Sequence, residues 1–163
     1  MGSGKSYIGY LLSLLTNYRY FDLDDIIYKK YKININNFFK KYGENKFRLI
    51  ENKILNLFLI KYKSYILSVG GGTPCYFNNI NLMNLYATTI FLKINHKKLY
   101  YRLLKDNKNR PILNKINKIN LYNFIKLHIY KRINFYNKSK YTININNMNF
   151  LETAYYIKKK FNI

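Results

Sequence analysis

The chain has 163 residues, 48% of them hydrophobic, which predicts one globular domain over 1–163. It lacks an apolar run of about 18 residues, which excludes a transmembrane helix of the usual length. The charge balance is 29 Lys and Arg against 7 Asp and Glu, a net +22. Because the basic residues are spread along the chain, and because Lys, Asn, Ile, Tyr and Phe all have AT-rich codons, biased composition explains this charge better than a nucleic-acid footprint.

The N-terminus lacks the basic and then apolar layout of a signal peptide, and the single cysteine, Cys75, has no partner for an internal disulfide. Both features favour a reducing compartment, and we expect a cytoplasmic location.

Apolar periodicity predicts alternating helices and strands. Helices are expected at 6–15, 25–31, 36–42, 45–61, 96–105, 121–137 and 150–161, and strands at 20–22, 64–69, 88–94 and 141–145. The Asn-rich tracts, 78–84 among them, are interpreted as loops and helix edges. Strands separated by helices predict an α/β fold of three layers, α/β/α, with a parallel sheet covered on both faces.

The first motif, Gly2-Ser3-Gly4-Lys5-Ser6, matches the end of a phosphate-binding Walker A loop. Its glycines would turn backbone amides toward phosphate oxygens, Lys5 would hold the β- and γ-phosphates, and the Ser6 hydroxyl would ligate Mg²⁺. A flexible Gly-Ser terminus is the alternative, but helical periodicity starts directly after Ser6. A full loop has another glycine and a buried strand ahead of it, so we expect Met1 to be an internal methionine.

Acidic residues follow the first predicted strand. Asp22 and Asp24 are two apart, so in extended backbone they share a face and could point into one cleft, one toward Mg²⁺ and one toward an acceptor hydroxyl. The alternative is that Asp24 or Asp25 only caps the next helix.

Arg48 and Glu51 are three residues apart, on one helical face. Either they form an ordinary surface ion pair, or Glu51 orients Arg48 so that its planar guanidinium binds a substrate carboxylate. Further along, three consecutive glycines at 70–72 end a strand, where a ligand can approach the backbone closely. Ser68, directly before them, could hold a water of the metal.

Arg110 and Pro111 lie in a polar stretch between two helices that is typical of a mobile lid, predicted at about 106–118. Arg132, on the next helix, could bind a carboxylate or simply be solvated. His96 and His128 have no spacing that suggests a metal site, and both are interpreted as structural.

Together these motifs resemble the shikimate kinase family in order and spacing. The matching segments are Gly2 to Ser6, Asp22-Leu23-Asp24, Phe39 with Gly43-Glu44, Phe47-Arg48 through Glu51, the glycines at 70–72, Arg110-Pro111-Ile112-Leu113, and Lys131-Arg132 followed by Tyr136. The resemblance implies a P-loop kinase fold with a five-stranded parallel sheet, its first strand absent from this sequence, and a lid. It implies transfer of the γ-phosphate of Mg²⁺-ATP to shikimate, in the pathway to chorismate and the aromatic amino acids.

The resemblance also implies residue roles. Lys5, Asp24 and Arg110 would be catalytic, Asp24 as the base, and Ser6 and Asp22 would serve the metal, with Ser68 in its outer shell. The implied ATP contacts are Gly2, Ser3, Gly4, Lys5, Ser6, Tyr7, Arg102 and Arg110. The implied shikimate contacts are Asp24, Phe39, Phe47, Arg48, Gly70, Gly71, Gly72 and Arg132. We expect a monomer with no membrane partner and no specific nucleic acid partner. The alternatives are another P-loop sugar-acid kinase, an inactive relative, and a basic nucleic-acid-binding protein.

Overall fold

The computed structural model describes residues 2–105 and 118–163. The helices there are α1 (Lys5–Leu15), α2 (Leu23–Tyr31), α3 (Ile35–Lys61), α4 (Asn79–Tyr86), α5 (His96–Lys105), α6 (Lys118–Tyr130), α7 (Ile133–Tyr136) and α8 (Phe150–Phe161), with a 3₁₀ turn at Thr73–Cys75. The strands are β1 (Arg19–Asp22), β2 (Tyr65–Ser68), β3 (Ile90–Lys93) and β4 (Tyr141–Asn144).

The four strands form two parallel pairs, as the alternation of helices and strands predicted. In the first pair Arg19 is opposite Tyr65 and Asp22 is opposite Ser68, so both strands end at the same level. In the second pair β3 runs parallel to β4 from Ile90 and Tyr141 onward. The carboxyl ends of β1 and β2 therefore meet at one edge, which is where parallel sheets bind ligands.

Helices cover both faces of the first pair of strands. Side chains of a strand alternate between its two faces, so neighbouring residues of β2 pack on different cores. Ile66 packs on a core formed by α1, α5, α6, α8 and the second pair of strands. Its neighbours Tyr65 and Leu67 pack on a separate core formed by α2, α3 and α4. This arrangement confirms the predicted layering of helices on both sides of a parallel sheet.

An apolar cleft of about 810 Å³ lies between the two pairs. Ile66 and Leu67 of β2 line it on one side, Phe91 and Leu92 of β3 on the other, and Ile8 of α1 borders it as well. Among the described residues, neither β2 nor β3 has a strand partner on the side that faces the cleft. A parallel sheet that lacks its first strand was predicted, and within the described part of the chain the sheet is divided at this cleft.

The structure confirms one predicted break between helices and adds another. The helices expected at 36–42 and 45–61 lie end to end as α3, and the break between them is a kink at Gly43, whose φ of 79° only glycine adopts readily. The helix expected at 121–137 is broken at Lys131 and Arg132 into α6 and α7. That break places the Tyr136 hydroxyl where it donates to the Gly71 carbonyl, at 2.6 Å.

Helix α4 was missed, because its Asn-rich sequence was interpreted as a loop. It begins after Asn78, whose left-handed φ of 59° asparagine tolerates better than most residues. Ile80 and Met83, three residues apart, are buried against the second core. That spacing was the available signal for a helix.

None of the helices in residues 2–105 and 118–163 combines the length and the apolar character needed to cross a membrane.

We expect the cleft to accept a fifth strand when a suitable segment is joined to the N-terminus of this chain. The Ser68 hydroxyl donates to the Lys5 carbonyl at 3.2 Å, so the chain start lies at the carboxyl end of β2, and a strand that led into it would run parallel to β2 and β3. Joining an apolar segment of about five extended residues to Met1 should slow amide hydrogen exchange in β2 and β3 and raise the unfolding temperature.

The control is a flexible Gly-Ser segment of equal length. If both extended chains exchange their β2 and β3 amides as fast as the original chain, the cleft does not take a strand.

Candidate phosphate and carboxylate site

The phosphate-loop motif forms the start of α1. Gly4, with φ of 85°, precedes the helix, which begins at Lys5. Gly2 is also left-handed, with φ of 77°, so glycine is required at both positions. A Cβ on Gly4 would lie 2.4 Å from the ring of Phe150, which therefore packs directly against the loop. Free amides and the positive end of the helix dipole make this an anion-binding position.

Ser6 and Asp22, the predicted metal residues, are joined directly. The Ser6 hydroxyl donates to Asp22 Oδ2 at 2.8 Å, and the Tyr20 hydroxyl donates to the same oxygen at 3.2 Å. Asp22 Oδ1 accepts the Asp24 amide, so Asp22 caps α2. The alternative that Asp24 or Asp25 is the cap is therefore wrong: the strand ends at Asp22, which puts its carboxylate at the first free amides of the helix.

A hydroxyl beside a carboxylate suits a hard cation such as Mg²⁺, which protein oxygens and substrate phosphates usually hold together. Within residues 2–105 and 118–163, no group of three His, Cys, Asp or Glu side chains is placed to hold a metal alone. Ser68, the predicted outer-shell residue, is buried and donates to the Lys5 carbonyl.

Asp24 lies where the phosphate loop, the glycine run and Arg48 converge. Its Oδ1 would be 3.5 Å from a Cβ on Gly70. Burial and the nearby charge of Asp22 raise the pKa of Asp24 to about 6, and Glu51 also raises it, whereas Lys5 and Arg48 lower it. These opposing charges show that the carboxylate is close to the cations of both halves of the site.

Arg48 is buried, with 7% of its surface exposed, and lies between two carboxylates. Its Nη1 donates to Glu51 Oε2 at 2.7 Å. Its Nε and Nη2 donate to Glu44 Oε1 at 3.1 and 2.9 Å. The ion pair with Glu51 is not the exposed surface pair of the alternative interpretation, because Glu51 is fully buried.

Aromatic rings surround the Arg48 guanidinium. Its Cζ lies 5.8 Å from the ring centre of Phe39, 5.3 Å from Phe47 and 4.7 Å from Tyr76. Phe39 and Phe47, both predicted substrate residues, also contact each other edge to face at 4.8 Å. The rings restrict the guanidinium, and cation–π attraction favours that position.

The glycine run lies directly against Arg48. A Cβ on Gly72 would lie 2.3 Å from Nη2, so no larger residue fits there without displacing the arginine. On the other side, the Tyr136 hydroxyl holds the Gly71 carbonyl. Burial raises the pKa of Tyr136, while the nearby charge of Arg132 lowers it, so Arg132 is close to this loop as well. The structure thus brings Asp24, Arg48, the glycine run and Arg132 to one side of the phosphate loop.

Arg102 lies at the opposite side of the loop. Its Nη1 donates to the Ser3 carbonyl at 3.1 Å, and its guanidinium lies 4.7 Å from the Phe150 ring centre. Tyr7 contacts the same ring edge to face at 5.4 Å and is itself exposed. Arg110 and residues 106–117 of the lid predicted at about 106–118 lie outside the described residues, and Lys118 begins α6.

Sequence reasoning missed four residues of this site. Phe150 and Tyr76 come from distant parts of the chain, and no local pattern marks them. Thr73 and Asn79 follow the glycine run, but nothing in the sequence indicates that their side chains are buried with Glu51. Their contacts depend on the path of the turn between β2 and α4.

Comparison with known proteins agrees with this geometry. The family model described as shikimate kinase matches residues 1–162. The chain belongs to the shikimate kinase family. It is 37% identical to the shikimate kinase of Azobacteroides pseudotrichonymphae over 91% of this chain and 87% of that protein. It is 32% identical to that of Flavobacterium johnsoniae over 94% of this chain and 90% of that protein.

Solved shikimate kinases have the same fold. The crystal structure of the Bacteroides thetaiotaomicron enzyme matches with a TM-score of 0.93 at 27% identity, over 100% of this chain and 94% of that one. The Acinetobacter baumannii enzyme, solved in complex with shikimate, matches with a TM-score of 0.88 at 27% identity, over 99% and 88% of the two chains. The predicted P-loop kinase fold is confirmed.

The raised pKa of Asp24 predicts a pH-dependent stability. The pKa of this carboxyl is higher in the folded than in the unfolded state. Its contribution to folding stability is therefore fully present when the pH is below the pKa of the unfolded state, and it is lost as the pH rises through about 6. Asp24→Asn removes the cost of burying a charged carboxylate at pH 7.5. The change that it makes in the free energy of unfolding should therefore be more stabilising at pH 7.5 than at pH 4, by on the order of 2–3 kcal/mol.

Urea unfolding at both pH values measures this difference. Asp25→Asn is the matched control, because Asp25 is exposed on the same helix turn. An Asp24→Asn effect that is equal at pH 4 and 7.5 would contradict the placement of Asp24.

Proposed function

We propose that this chain transfers the γ-phosphoryl group of ATP to the 3-hydroxyl of shikimate. One observation carries the proposal: the Asp24 carboxylate lies against Gly70 and the Arg48 guanidinium against Gly72, so an acid and a buried arginine meet at one glycine run beside the phosphate loop. An acid between a phosphate-binding cation and a carboxylate-binding cation suits an acceptor that bears both a hydroxyl and a carboxylate. Membership of the shikimate kinase family supports the same reaction.

On the ATP side, the amides of Gly2, Ser3 and Gly4 would bind the phosphates, and Lys5 would offset charge on the transferred group. Ser6 and Asp22 would hold Mg²⁺, which, when bound with ATP, neutralises the phosphates as the transfer proceeds. Because Ser6 and Asp22 are already joined by a hydrogen bond, both oxygens lie on the same side of the loop.

The nucleotide base would lie near Arg102. This arginine contacts the Ser3 carbonyl and the Phe150 ring, so a flat apolar surface and a cation lie together beside the phosphate loop. Tyr7, exposed next to Phe150, extends that surface. A planar base could stack there.

On the acceptor side, Arg48 and Arg132 would bind the carboxylate, with amides of the glycines at 70–72. Phe39 and Phe47 would contact the ring carbons. Asp24 would accept the proton of the attacking hydroxyl, and its pKa of about 6 lies near the operating pH that a general base requires. Arg110, from the lid, would offset charge at the γ-phosphate; this role rests on the resemblance alone.

The alternatives have weaker support. A nucleic-acid binder would have no need of a buried arginine between two carboxylates, at the edge of a three-glycine run. A sugar acid also has a carboxylate for such an arginine, so the match to the shikimate kinase family model is what favours shikimate over it. The half-buried Ser6–Asp22 pair and the buried Arg48–Glu51 pair are also intact, which an inactive relative need not retain. A single domain, a monomer and a cytoplasmic location remain predictions.

The direct test is ADP release from Mg²⁺-ATP with and without shikimate. We expect release that depends on shikimate, and no release with gluconate. Release with gluconate but not with shikimate would favour the sugar-acid alternative. A folded chain that binds ATP and releases ADP with neither would contradict the proposal.

Two arginine variants should separate acceptor binding from chemistry. Arg48→Ala should chiefly raise the KM for shikimate, by about 100-fold, because it removes a charged partner of the carboxylate. Arg110→Ala should chiefly lower kcat, because its charge acts on the γ-phosphate. Arg19→Ala, at an exposed arginine of β1, is the control. If both active-site variants change only the KM for ATP, these assignments are wrong.

A further inference from the structure

A closed chain of buried hydrogen bonds lies behind Arg48. Glu51 accepts from Arg48 through Oε2 at 2.7 Å and from the Thr73 hydroxyl through Oε1 at 2.6 Å. The Asn79 amide donates to the Thr73 carbonyl at 2.9 Å, and Asn79 Oδ1 accepts from Asn52 at 2.7 Å. Asn52 is on the same helix as Arg48, one turn further along, so the chain returns to α3.

The central members of this chain have no contact with solvent. Glu51, Thr73 and Asn79 each have 0% of their surface exposed. A carboxylate in that position needs a partner for each oxygen, because an unpaired buried acceptor is costly. Arg48 is the partner of one oxygen and Thr73 of the other, so the orientation of the carboxylate is fixed at two points rather than one.

Thr73 also connects this carboxylate to the glycine run. Its amide donates to the Gly70 carbonyl at 3.1 Å. A Cβ on Gly70 would lie 3.1 Å from Thr73 Oγ1 and 3.2 Å from Glu51 Oε1, so these atoms already fill the space behind the loop. Thr73 therefore sets the distance between the glycine backbone and Glu51, and through Glu51 the distance to Arg48.

Asn79 holds Thr73 in place from the other side. It is buried at the first position of α4, and its two polar atoms contact the 3₁₀ turn and α3. The turn that carries Thr73 is thus tied to α3 by a side chain as well as by the backbone.

We propose that Thr73 and Asn79 are positioning residues for the acceptor site. They do not contact the acceptor. They hold Glu51 in place, and Glu51 keeps the Arg48 guanidinium aligned with the glycine amides. The proposal rests on the function proposed above only for the identity of the acceptor. The expected effect of their loss is weaker acceptor binding, with ATP binding and the chemical step preserved.

Thr73→Val and Thr73→Ser form the test pair. Valine keeps the shape and removes the hydroxyl, and serine keeps the hydroxyl. We expect Thr73→Val to raise the KM for shikimate by about 10- to 100-fold. The expected changes in kcat and in the KM for ATP are within about twofold. Thr73→Ser should restore a KM close to that of the wild type.

Thr153→Val is the matched control, because Thr153 is equally buried and its hydroxyl donates to the Asn149 carbonyl of α8, away from the acceptor residues. It should lower stability without changing the KM for shikimate. The proposal is overturned if Thr73→Val leaves the KM for shikimate unchanged, or if the valine and serine variants raise it equally. If Thr73→Val does not fold, Asn79→Ser takes its place, with an expected rise of several-fold in the same KM.

A second measurement needs no acceptor. Hydrogen exchange of the Arg48 Nη1 hydrogens, which donate to Glu51, should be faster by NMR in Thr73→Val than in the wild type and unchanged in Thr153→Val. If shikimate is not a substrate but this exchange difference is present, the proposed function fails while the positioning role stands. Equal exchange in wild type and Thr73→Val overturns the positioning role, whatever the substrate.

Discussion

The site depends on one buried ion pair. Arg48 and Glu51 are both removed from water, and a buried carboxylate of this kind is tolerated only when charge and hydrogen bonds compensate for the lost hydration. Removing Arg48 would leave the Glu51 charge uncompensated beside the second core, whereas Arg48 without Glu51 would keep its bonds to Glu44. The choice of residues around the pair is therefore restricted. Glycine is required at 72, aromatic rings surround the guanidinium, and the Thr73 hydroxyl donates to the second carboxylate oxygen.

The parallel pairing of β1 and β2 brings the acceptor half of the site, around Arg48, next to the phosphate half, around the loop before α1. Because Asp22 is opposite Ser68, the strand ends bring the α2 cap, the glycine run and the start of α1 to one edge. Ser6 reaches Asp22 across that edge, and Ser68 reaches the Lys5 carbonyl. Asp24, in the first turn of α2, is then held between the two halves, and its raised pKa follows from that position.

Local patterns were sufficient to predict much of this arrangement. Helical periodicity located α1, α5 and α8, and alternation located all four strands, because each reflects one apolar face or stripe. The phosphate loop, the Asp22–Asp24 spacing and the Arg48–Glu51 spacing were visible because their members are close in sequence. Helix α4 was missed because asparagine is a poor helix former, and its stability comes from Ile80 and Met83 in the core.

Long-range contacts could not be predicted in the same way. Phe150 packs on Gly4 across most of the length of the chain, and Tyr136 holds Gly71 from 65 residues away. Nor does any spacing rule show that Thr73 and Asn79 lie with Glu51, since that depends on the turn after β2. The phosphate loop predicted that a strand is missing from the sheet, but periodicity does not define the neighbours of a strand, so the sequence did not show which strands the gap separates.

The central claim is that buried Arg48 recognises a carboxylate. Calorimetric titration of the protein with shikimate and with shikimate methyl ester tests it most directly, since the ester keeps the ring and hydroxyls and removes the charge. The account predicts that the acid binds at least 10-fold more tightly than the ester to the wild type, and that Arg48→Ala loses this preference. Equal affinity of the wild type for acid and ester would contradict the account.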